Sequence, residues 1–489
     1  MAIAEAAREK MLIAGEWVDG ADRRTFEVET PAKRGQVIAQ VPRATAADVD
    51  RAVRAAHAAF PAWRAMAPRD RGRALSRIAD DLEASIEDLA RLLASETGNA
   101  IRTQARPEAR TTADLFRYFG GLGGELKGET IPLGENMFSY TRREPWGVVA
   151  AIVPWNVPIL ISAWKVAPAL IAGNTVVLKP SASAPLAALA FARICQKHLP
   201  KGVLNVVTGT GEEVGTPLAE HPLIAKISFT GNTETGKAIL RLAADRILPV
   251  TVELGGKSPQ IVFADADSDK TADGVIAGMR FARQGQSCTA GSRLFVHQTV
   301  FDSFLARLAA KLGKMKVGDP LDESSDMGAI VSRQQFESVC RYIDEGTKQQ
   351  GARTIVGGLP PRDGPLAEGY YIRPTIFASE RNDWRLAREE IFGPVLVAIP
   401  WTDEADVIRM ANDTHYGLAA YVWCNDIGRA IRTAHAIDAG FVQINQGLGQ
   451  VVGQPYGGYK QSGLGRENSL EGMLEGFTQR KSVTINLSV

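Results

Sequence analysis

The sequence predicts an α/β protein with two parallel, doubly wound sheets. From residue 147 onward, short β-branched runs alternate with helical stretches, beginning with GVVAAIV, ISAWKVAPALIAG and NTVVLKP. Apolar strands bounded by helices are typical of parallel sheets that are covered on both faces. The alternation restarts with PQIVFADAD, so a second α/β domain is expected to begin near Gly256. The length of 489 residues agrees, because roughly 150 residues per domain gives about three domains.

The elements outside the α/β regions follow in chain order. Thr45 and Asp48 predict a capping box, and apolar residues then recur at helical spacing as far as Pro61. A second helical pattern covers roughly residues 71–95. The segments KGETIPLGENMFSYTRREP and FTQRKSVTINLSV predict extended strands. Neither segment would form a sheet of its own, so both are expected to be arms that dock elsewhere.

Composition argues against several classes of function. Apolar residues make up 45% and charged residues 23%, as in globular proteins. Lys plus Arg is 56 and Asp plus Glu is 55, so net charge predicts neither nucleic-acid nor membrane binding. The run 146–178 carries a single charge, Lys165, but its prolines and asparagines would interrupt a membrane-spanning helix. The six histidines form no metal-ligand spacing, so no metal is expected.

Cys288 is the first candidate for chemistry. It lies in GQSCTAGS, where small neighbours leave room for a ligand to approach the sulfur. A reactive thiol needs such access and a nearby base, positive charge or helix end. The alternative is a buried structural thiol, which is favoured for the other three cysteines. The four cysteines form no CxxC pair and MAIAEAAREK has no apolar signal-peptide core, so a cytoplasmic location is predicted.

Two further side chains lie in motifs that suggest catalysis. Glu253 follows a β-branched run in VELGGKSP, at the carboxyl end of a strand where open α/β sheets bind ligands. It would be a general base if apolar surroundings raise its pKa, or else a carboxylate that caps a turn. Asn156 stands between two prolines in VPWNVP, where its amide would stabilise an oxyanion or form an Asx turn.

The remaining motifs predict nucleotide binding, with ordinary turns as the alternative. TGTGEEVG, which contains Gly211, and FTGNTETG, which contains Gly231, each follow a strand and precede a helix. Helix N-termini in that context bind phosphate, although neither motif is a full GxGxxG signature. Lys179 ends a strand in VVLKPSAS, where its ammonium would bond ribose hydroxyls or stay solvated. EEIFGPVL, with Glu390 and Phe392, and the loop PYGGYKQSGLGRE complete the set.

Seven motifs together resemble the aldehyde dehydrogenase superfamily, from roughly residue 10 to the end. PWN, LKP, FTG, ELGGKSP, GQSCTAGSR, EEIFGPV and PYGGYKQSGLGRE occur in the family's order and at its spacing. The resemblance implies an aldehyde dehydrogenase-like fold with two Rossmann-like domains and a small β oligomerisation arm. A cofactor-binding domain would cover 1–125 and 146–255, a catalytic domain 256–470, and the arm 126–145 and 471–489. It also implies a homodimer or homotetramer, with the arm and the C-terminal strand pairing across subunits.

The resemblance implies NAD(P)-dependent oxidation of an aldehyde to a carboxylic acid, through a cysteine thiohemiacetal and a thioester. Cys288 would be the nucleophile and Glu253 the base that activates water. Asn156 would share the oxyanion hole with the backbone N–H of residue 288. Covalent capture of this kind divides one difficult oxidation into two easier steps.

The implied cofactor-binding residues are Trp155, Lys179, Ser181, Ala182, Gly211, Phe229, Gly231, Asn232, Leu254, Glu390 and Phe392. Lys179 would bind the adenosine ribose, Glu390 the nicotinamide ribose, and Phe392 would pack near the nicotinamide. NAD-preferring members commonly have glutamate at the position of Ala182, whose flanking serines would here bond the extra phosphate of NADP. NADP acceptance alongside NAD is therefore expected, unless Ala182 only weakens NAD slightly. Asn232 replaces the family's usual serine, with a modest expected effect.

The implied substrate tunnel is lined by Val157, Ile161, Trp164, Ser287, Thr289 and Tyr456, with further residues around 447–450. No charged residue appears among the six. That favours an uncharged aliphatic or aromatic aldehyde over a dicarboxylic semialdehyde, whose carboxylate needs arginine. Only Trp164 and Tyr456 are aromatic, and a quaternary-ammonium substrate would favour a richer aromatic cage.

Two other functions stay open from the sequence. An acyl-phosphate or acyl-CoA reductase would use the same fold, but similar branches that pass the acyl group to coenzyme A lack the glutamate found at Glu253. The third alternative is a catalytically silent binding or structural protein. The presence of Cys288, Glu253 and Asn156 together argues against it.

Overall fold

Two large β-sheets with flanking helices organise the chain, in a computed structural model that describes residues 7–488. Its strands are β1 (Ala7–Arg8), β2 (Met11–Ile13), β3 (Glu16–Val18), β4 (Thr25–Glu29), β5 (Val37–Pro42), β6 (Thr130–Pro132), β7 (Met137–Pro145), β8 (Val148–Ile152), β9 (Thr175–Lys179), β10 (Leu204–Val206), β11 (Ile224–Thr230), β12 (Val250–Glu253), β13 (Pro259–Val262), β14 (Arg293–His297), β15 (Arg353–Val356), β16 (Thr375–Ala378), β17 (Val395–Trp401), β18 (Ala419–Trp423), β19 (Phe441–Ile444), β20 (Gly463–Leu464) and β21 (Thr478–Asn486).

The helices are α1 (Ala46–Ala65), α2 (Pro68–Ala84), α3 (Ile86–Thr97), α4 (Arg106–Gly121), α5 (Pro158–Ala172), α6 (Leu186–Gln196), α7 (Thr216–Glu220), α8 (Thr233–Ala244), α9 (Asp269–Gly278), α10 (Phe301–Leu312), α11 (Arg333–Lys348), α12 (Arg385–Arg388), α13 (Glu404–Asn412), α14 (Ile427–Ala436) and α15 (Leu470–Phe477). Residues 1–6 and 489 lie outside the described part. They include most of the segment MAIAEAAREK and the ends of the predicted cofactor-binding domain and arm.

The first large sheet has eight strands in the order β20-β12-β11-β8-β9-β10-β2-β3. The five strands from β12 to β10 are parallel, whereas β20, β2 and β3 join antiparallel at the edges. From β8 the chain winds to β9 and β10 on one side and to β11 and β12 on the other. The winding direction therefore reverses between β8 and β11. Open sheets bind ligands outside the carboxyl ends of their strands at such a reversal.

The second large sheet has seven strands in the order β15-β16-β17-β14-β13-β18-β19, all parallel except β15. Residues 254–258 alone connect the carboxyl end of β12 to the amino end of β13. Five residues span less than about 18 Å, so these two sheet edges lie close together. The predicted α/β fold with two parallel sheets is confirmed. The domain ranges stay a prediction, and β20, from the predicted catalytic range, pairs with β12 of the first sheet.

The two predicted extended segments form a third, three-stranded sheet in the order β21-β7-β6. Strand β7 pairs antiparallel with β21, from Pro145 opposite Thr478 to Met137 opposite Asn486. The expectation that neither segment forms a sheet of its own is wrong for the first segment, because its strands β6 and β7 pair with each other. The second segment supplies a single strand, β21, which needs β7 from a distant part of the chain as its partner. A further small sheet, β1-β5-β4, lies near the start of the chain.

The helical predictions hold with two corrections. The capping box of α1 is confirmed, because Thr45 and Asp48 exchange side-chain and backbone hydrogen bonds. Helix α1 continues past Pro61 to Ala65, since exposed Pro61 frees a carbonyl that water can reach. The pattern at 71–95 forms two helices, α2 and α3, which meet at Ser85. Within residues 7–488, no helix combines the length and the apolar character needed to cross a membrane.

Candidate active site

The predicted site residues come from loops at two facing sheet edges. Asn156 follows β8, Gly231 follows β11 and Leu254 follows β12, all at the carboxyl edge of the first sheet. Cys288 precedes β14 and Phe392 precedes β17, both at the amino edge of the second sheet. Because residues 254–258 join the two edges, these loops meet across one cleft.

Two cavities meet at Cys288. The first, here called the sheet-edge cavity, has a volume of about 290 Å³ and includes Glu390 and Phe392 in its wall. The second, here called the helix-side cavity, has a volume of about 550 Å³ and lies against α4, α5 and α9. Asn156, Ile161 and Cys288 line both cavities. A sulfur at this junction is accessible to two different ligands at once.

The Cys288 thiol is partly exposed, and its Sγ lies 3.3 Å from the hydroxyl oxygen of Tyr456. Burial raises the pKa of this thiol to about 11, and the Tyr456 hydrogen bond opposes that rise. Glu390 and Glu253 raise the pKa further when they are ionised, whereas the charge of Arg283 lowers it. The thiol is therefore protonated at neutral pH until a base or a positive charge approaches it.

Glycines let the Cys288 loop pack against neighbouring backbone. Gly285 has a φ of +65°, and a Cβ there would lie 2.1 Å from the carbonyl oxygen of Gly393. A Cβ at Gly256 would lie 2.4 Å from the carbonyl oxygen of Cys288. Side chains at these positions would push the loop away from its neighbours. The small residues around the sulfur thus have a steric cause.

The Asn156 side chain is buried and held beside the Cys288 loop. Its Nδ2 donates to the carbonyl oxygen of Gln286 at 3.0 Å. Asn99, which sequence reasoning did not single out, donates to the Asn156 carbonyl oxygen at 3.0 Å. An amide nitrogen carries two hydrogens, and residues 7–488 accept one of the two on Asn156. The other hydrogen is available for a ligand at the wall shared by the two cavities.

Glu253 ends β12 but lines neither cavity. It is 3% exposed, and neither carboxyl oxygen has a hydrogen-bond partner among the described residues. Burial raises the pKa of this carboxyl well above its usual value, neighbouring Glu467 raises it further, and Lys165 lowers it. Glu253 is therefore a protonated acid in this arrangement. To accept a proton beside Cys288, its side chain must turn towards the cavities.

A buried ion pair lies behind Glu253. Lys165 Nζ donates to Glu467 Oε1 at 2.7 Å and to Ser228 Oγ at 3.0 Å. Both charged side chains are almost completely buried. Sequence reasoning missed Glu467 and noted Lys165 only as the single charge of an apolar run. That lone lysine was the available signal, because a buried ammonium needs a counter-charge.

Glu390 reaches the sheet-edge cavity across the turn that follows β12. Its Oε1 accepts a hydrogen bond from the Gly256 N–H at 3.0 Å. A Cβ at Gly255 would lie 2.2 Å from Glu390 Oε2, so only glycine admits the carboxylate there. Burial raises the pKa of Glu390 to about 7, while the Gly256 hydrogen bond and Lys257 lower it.

Phe392 has a left-handed backbone, with a φ of +54°, which is unfavourable for a bulky residue. Gln335 on α11 holds it there, with Nε2 donating to the carbonyl oxygens of Ile391 at 3.1 Å and Phe392 at 3.0 Å. The Phe392 ring meets Trp155 edge to face, with centroids 5.2 Å apart. Sequence reasoning missed Gln335, because it lies on a helix outside every motif.

The sheet-edge cavity brings together part of the predicted cofactor-binding set. The residues in its wall are Trp155, Gly231, Asn232, Leu254, Glu390 and Phe392. Asn232 also caps α8, with its Oδ1 accepting from the Thr235 N–H at 2.7 Å. The N–H groups at the start of this helix suit a phosphate.

The other predicted cofactor-binding residues line neither cavity. They are Lys179, Ser181, Ala182, Gly211 and Phe229. Lys179 is buried at the end of β9, where burial lowers its pKa to about 8 and its Nζ donates to the carbonyl oxygen of Pro180. Phe229 lies beneath Gly231, where a Cβ would be 2.4 Å from the phenyl ring. It is in contact with the glycine and not with the cavity.

The helix-side cavity brings together the whole predicted substrate set. Its wall includes Val157, Ile161, Trp164, Ser287, Thr289 and Tyr456, together with residues 447–450. Trp164 and Tyr456 pack with ring centroids 5.1 Å apart. The six predicted residues are uncharged, but Glu108, Asp273, Arg280 and Arg283 also lie in the wall. They come from α4, α9 and the loop before Cys288, segments whose convergence no local motif reveals.

Within residues 7–488, no three His, Cys, Asp or Glu side chains are grouped so that they could hold a metal ion. All four cysteines are free thiols.

Comparisons with known proteins agree with the fold. A model of the aldehyde dehydrogenase family matches residues 17–483. A candidate aldehyde dehydrogenase from Burkholderia cenocepacia is 43% identical, with a TM-score of 0.95 and 98% of each chain covered. An NAD-dependent aldehyde dehydrogenase from Sinorhizobium meliloti is 39% identical, covering 99% of this chain and 95% of that one at a TM-score of 0.95. The NAD⁺ complex of an aldehyde dehydrogenase from Bacillus cereus is 38% identical, covering 99% and 98% at a TM-score of 0.95. The predicted resemblance is confirmed, and this chain belongs to the aldehyde dehydrogenase family.

Proposed function

We propose that this chain oxidises an aldehyde to a carboxylic acid, with a nicotinamide dinucleotide as hydride acceptor. The observation that carries the proposal is the position of Cys288 where two cavities meet. The sheet-edge cavity suits the dinucleotide, since it combines a helix N-terminus, aromatic rings and the Glu390 carboxylate. Bound there, the oxidised nicotinamide would supply the hydride acceptor and a positive charge beside the thiol. The helix-side cavity would hold the aldehyde.

The first half of the reaction uses Cys288 and Asn156. The Cys288 thiol gives its proton to water, a loss that the positive charge of a bound nicotinamide would favour. The thiolate then adds to the aldehyde carbon, and the aldehyde oxygen becomes an alkoxide. The second Nδ2 hydrogen of Asn156 and the Cys288 backbone N–H would stabilise that charge, and one such donor is worth roughly 3 kcal/mol. When the adduct collapses, the carbonyl re-forms and a thioester remains on Cys288; a bound nicotinamide would accept the hydride that leaves the carbon.

The second half uses Glu253. Turning out of its apolar site lowers the pKa of this carboxyl, because burial is what raises it. The ionised carboxylate can then take a proton from water as the oxygen attacks the thioester. Cleavage of the C–S bond releases the carboxylic acid and regenerates the thiol. Water is therefore the proposed acyl acceptor, in preference to phosphate or coenzyme A.

Rapid mixing of the enzyme with NAD⁺ and propanal tests the function. We expect a burst of NADH equal to the number of sites, followed by steady turnover. Cys288→Ala should abolish the burst while cofactor binding survives. Glu253→Gln should retain the burst and slow turnover by about 10²–10⁴, the usual contribution of a general base. A wild type that forms no NADH with any aldehyde would instead indicate a silent scaffold.

We also propose that NADP⁺ is accepted alongside NAD⁺. Ala182 places no carboxylate at its position, and the Ser181 hydroxyl can donate to a phosphate while it accepts from the Ser183 N–H. Comparing kcat/KM for the two cofactors tests this idea. Ala182→Glu should lower kcat/KM for NADP⁺ more than kcat/KM for NAD⁺. A preference of wild type for NAD⁺ above a hundredfold would reject it.

Self-association as a homodimer or homotetramer is a further proposal, and it concerns the arm. Its sheet exposes Ile131, Leu133, Phe138, Ile485 and Leu487. Strands β6 and β21 are its edges, with backbone groups free to pair with another chain. Light scattering coupled to gel filtration should show two or four copies. Phe138→Glu should shift the protein towards the monomer, and a monomeric wild type would contradict the proposal.

A further inference from the structure

We propose that the helix-side cavity binds the carboxylate of an oxo acid, a molecule with an aldehyde at one end and a carboxylate at the other, through Arg283. This inference rests on the proposed aldehyde oxidation and names its substrate class. Arg283 lines the same cavity as Cys288, so one short substrate can contact both. The assignment replaces the uncharged aldehyde that the sequence favoured.

The guanidinium of Arg283 keeps most of its donors for a ligand. Its Nε donates to Gln104 Oε1 at 3.0 Å. Among residues 7–488, its two terminal nitrogens have no hydrogen-bond partner, and no carboxylate oxygen lies within 4.0 Å of them. Those nitrogens carry four of the five N–H groups of an arginine, in the planar arrangement that binds a carboxylate through both oxygens.

The other charged groups of this cavity are already engaged. Arg280 donates to the carbonyl oxygens of Gly447 at 2.8 Å and Leu448 at 2.7 Å, which fixes the loop there. Asp273 forms an ion pair with Lys311 at 2.9 Å. Of the charges in the wall, Arg283 is thus the cation with donors to spare.

Among the described residues, the Glu108 carboxyl forms its hydrogen bonds with backbone and not with Arg283. Its Oε1 accepts from the Ile159 N–H at 3.1 Å and the Leu160 N–H at 3.3 Å, which holds the carboxyl at the start of α5. Its Oε2 has no hydrogen-bond partner among the described residues. Burial raises the pKa of Glu108 to about 7, whereas the charge of Arg283 lowers it. Glu108 therefore compensates part of the Arg283 charge but forms no hydrogen bond with its terminal nitrogens.

The surroundings of Arg283 favour an anion over water. Burial lowers the pKa of its guanidinium, which means that the charge is poorly solvated where it stands. A carboxylate would compensate that charge in a site of low dielectric constant. The charge of Arg283 also acts on the Cys288 thiol, and Trp164 and Tyr456 offer apolar surface for the carbons between the two ends.

The test compares aldehydes of equal length with and without a terminal carboxylate. The pairs are 4-oxobutanoate and butanal, 5-oxopentanoate and pentanal, and 6-oxohexanoate and hexanal. With wild type and saturating NAD⁺, we expect kcat/KM for the best oxo acid to exceed that of its neutral partner at least tenfold. Arg283→Gln should slow both members of a pair through the higher pKa of Cys288, and in addition it should remove the preference for the oxo acid, mainly through KM. Arg283→Lys should restore part of it.

Arg117→Gln is the matched control, since Arg117 is an exposed arginine of α4 paired with Asp80 and Glu83. This variant should leave kcat/KM unchanged for both members of each pair. A wild type that oxidises pentanal at least as well as 5-oxopentanoate, with the same order for the other pairs, overturns the substrate class and leaves the proposed function standing. An unchanged ratio of kcat/KM between the oxo acid and its neutral partner in Arg283→Gln would overturn it too, because Arg283 would then not contact the carboxylate. A wild type that oxidises no aldehyde overturns both proposals.

Discussion

The Sγ of Cys288 lies 3.3 Å from the hydroxyl oxygen of Tyr456. Tyr456 is buried, and its ring is held between Trp164 at 5.1 Å and Phe441 at 5.8 Å, measured between centroids. The hydroxyl therefore has a fixed position beside the sulfur. A donor in that position stabilises the thiolate more than the thiol.

Replacing this tyrosine should make the thiol harder to ionise. In Tyr456→Phe the lost hydrogen bond raises the pKa of Cys288, since that bond is what opposes the effect of burial. A hydrogen bond to a charged group contributes about 1.5 kcal/mol or more, so we expect roughly a tenfold slower reaction at pH 7.5. The rate of iodoacetamide alkylation measured against pH checks this. The curve should move to higher pH, and an unmoved curve would mean that Tyr456 only packs.

Gln335 lies in the wall of the sheet-edge cavity, and its contact with the backbone at Phe392 predicts an effect on cofactor binding. Gln335→Ala removes both hydrogen bonds that hold the left-handed residue, so the Phe392 ring should leave its position against Trp155. We expect KM for NAD⁺ to rise several-fold, with the alkylation rate of Cys288 unchanged. Gln334→Ala, an exposed neighbour on α11, serves as the control. Identical KM values in the two variants would refute the role.

Glu96 predicts how stability depends on pH. Its carboxyl is buried and accepts from the Leu186 N–H at 2.7 Å and the Ala187 N–H at 2.8 Å, and burial raises its pKa to about 8. A pKa above the unfolded value means that the folded state binds the proton more tightly. The stabilisation is complete below the unfolded pKa near 4.5 and is lost as pH rises towards 8. Urea midpoints should therefore fall between pH 5.5 and 8.5 more steeply in wild type than in Glu96→Gln, and parallel curves would contradict the assignment.

The local motifs predicted most of the residues that lie at the cleft. Cys288 among small residues, Asn156 between prolines and Glu390 before its Gly-Pro turn all lie at the predicted cleft. Each motif indicates its own local geometry, because glycines allow close approach of the backbone and prolines restrict the backbone nearby. The substrate-pocket residues could also be predicted from the sequence, since all six line one cavity with Cys288.

Contacts between distant segments of the chain set the features of the site that the motifs could not predict. Glu253 lies near Glu467 and lines neither cavity, Gln335 supports Phe392, and Arg283 lines the helix-side cavity. Each of these residues contacts groups from distant parts of the chain. Periodicity and motif spacing describe only near neighbours, so they could not predict these contacts. The pairing of β7 with β21 was hidden for the same reason.

By itself, the sequence determined the α/β alternation, the family and the identity of the groups able to react, because these follow from neighbours a few residues apart. Only the tertiary structure decided which charges are paired and which stay available inside a cavity. Burial and the pairing of charges depend on what the rest of the chain packs around a side chain, and that is a property of the folded molecule.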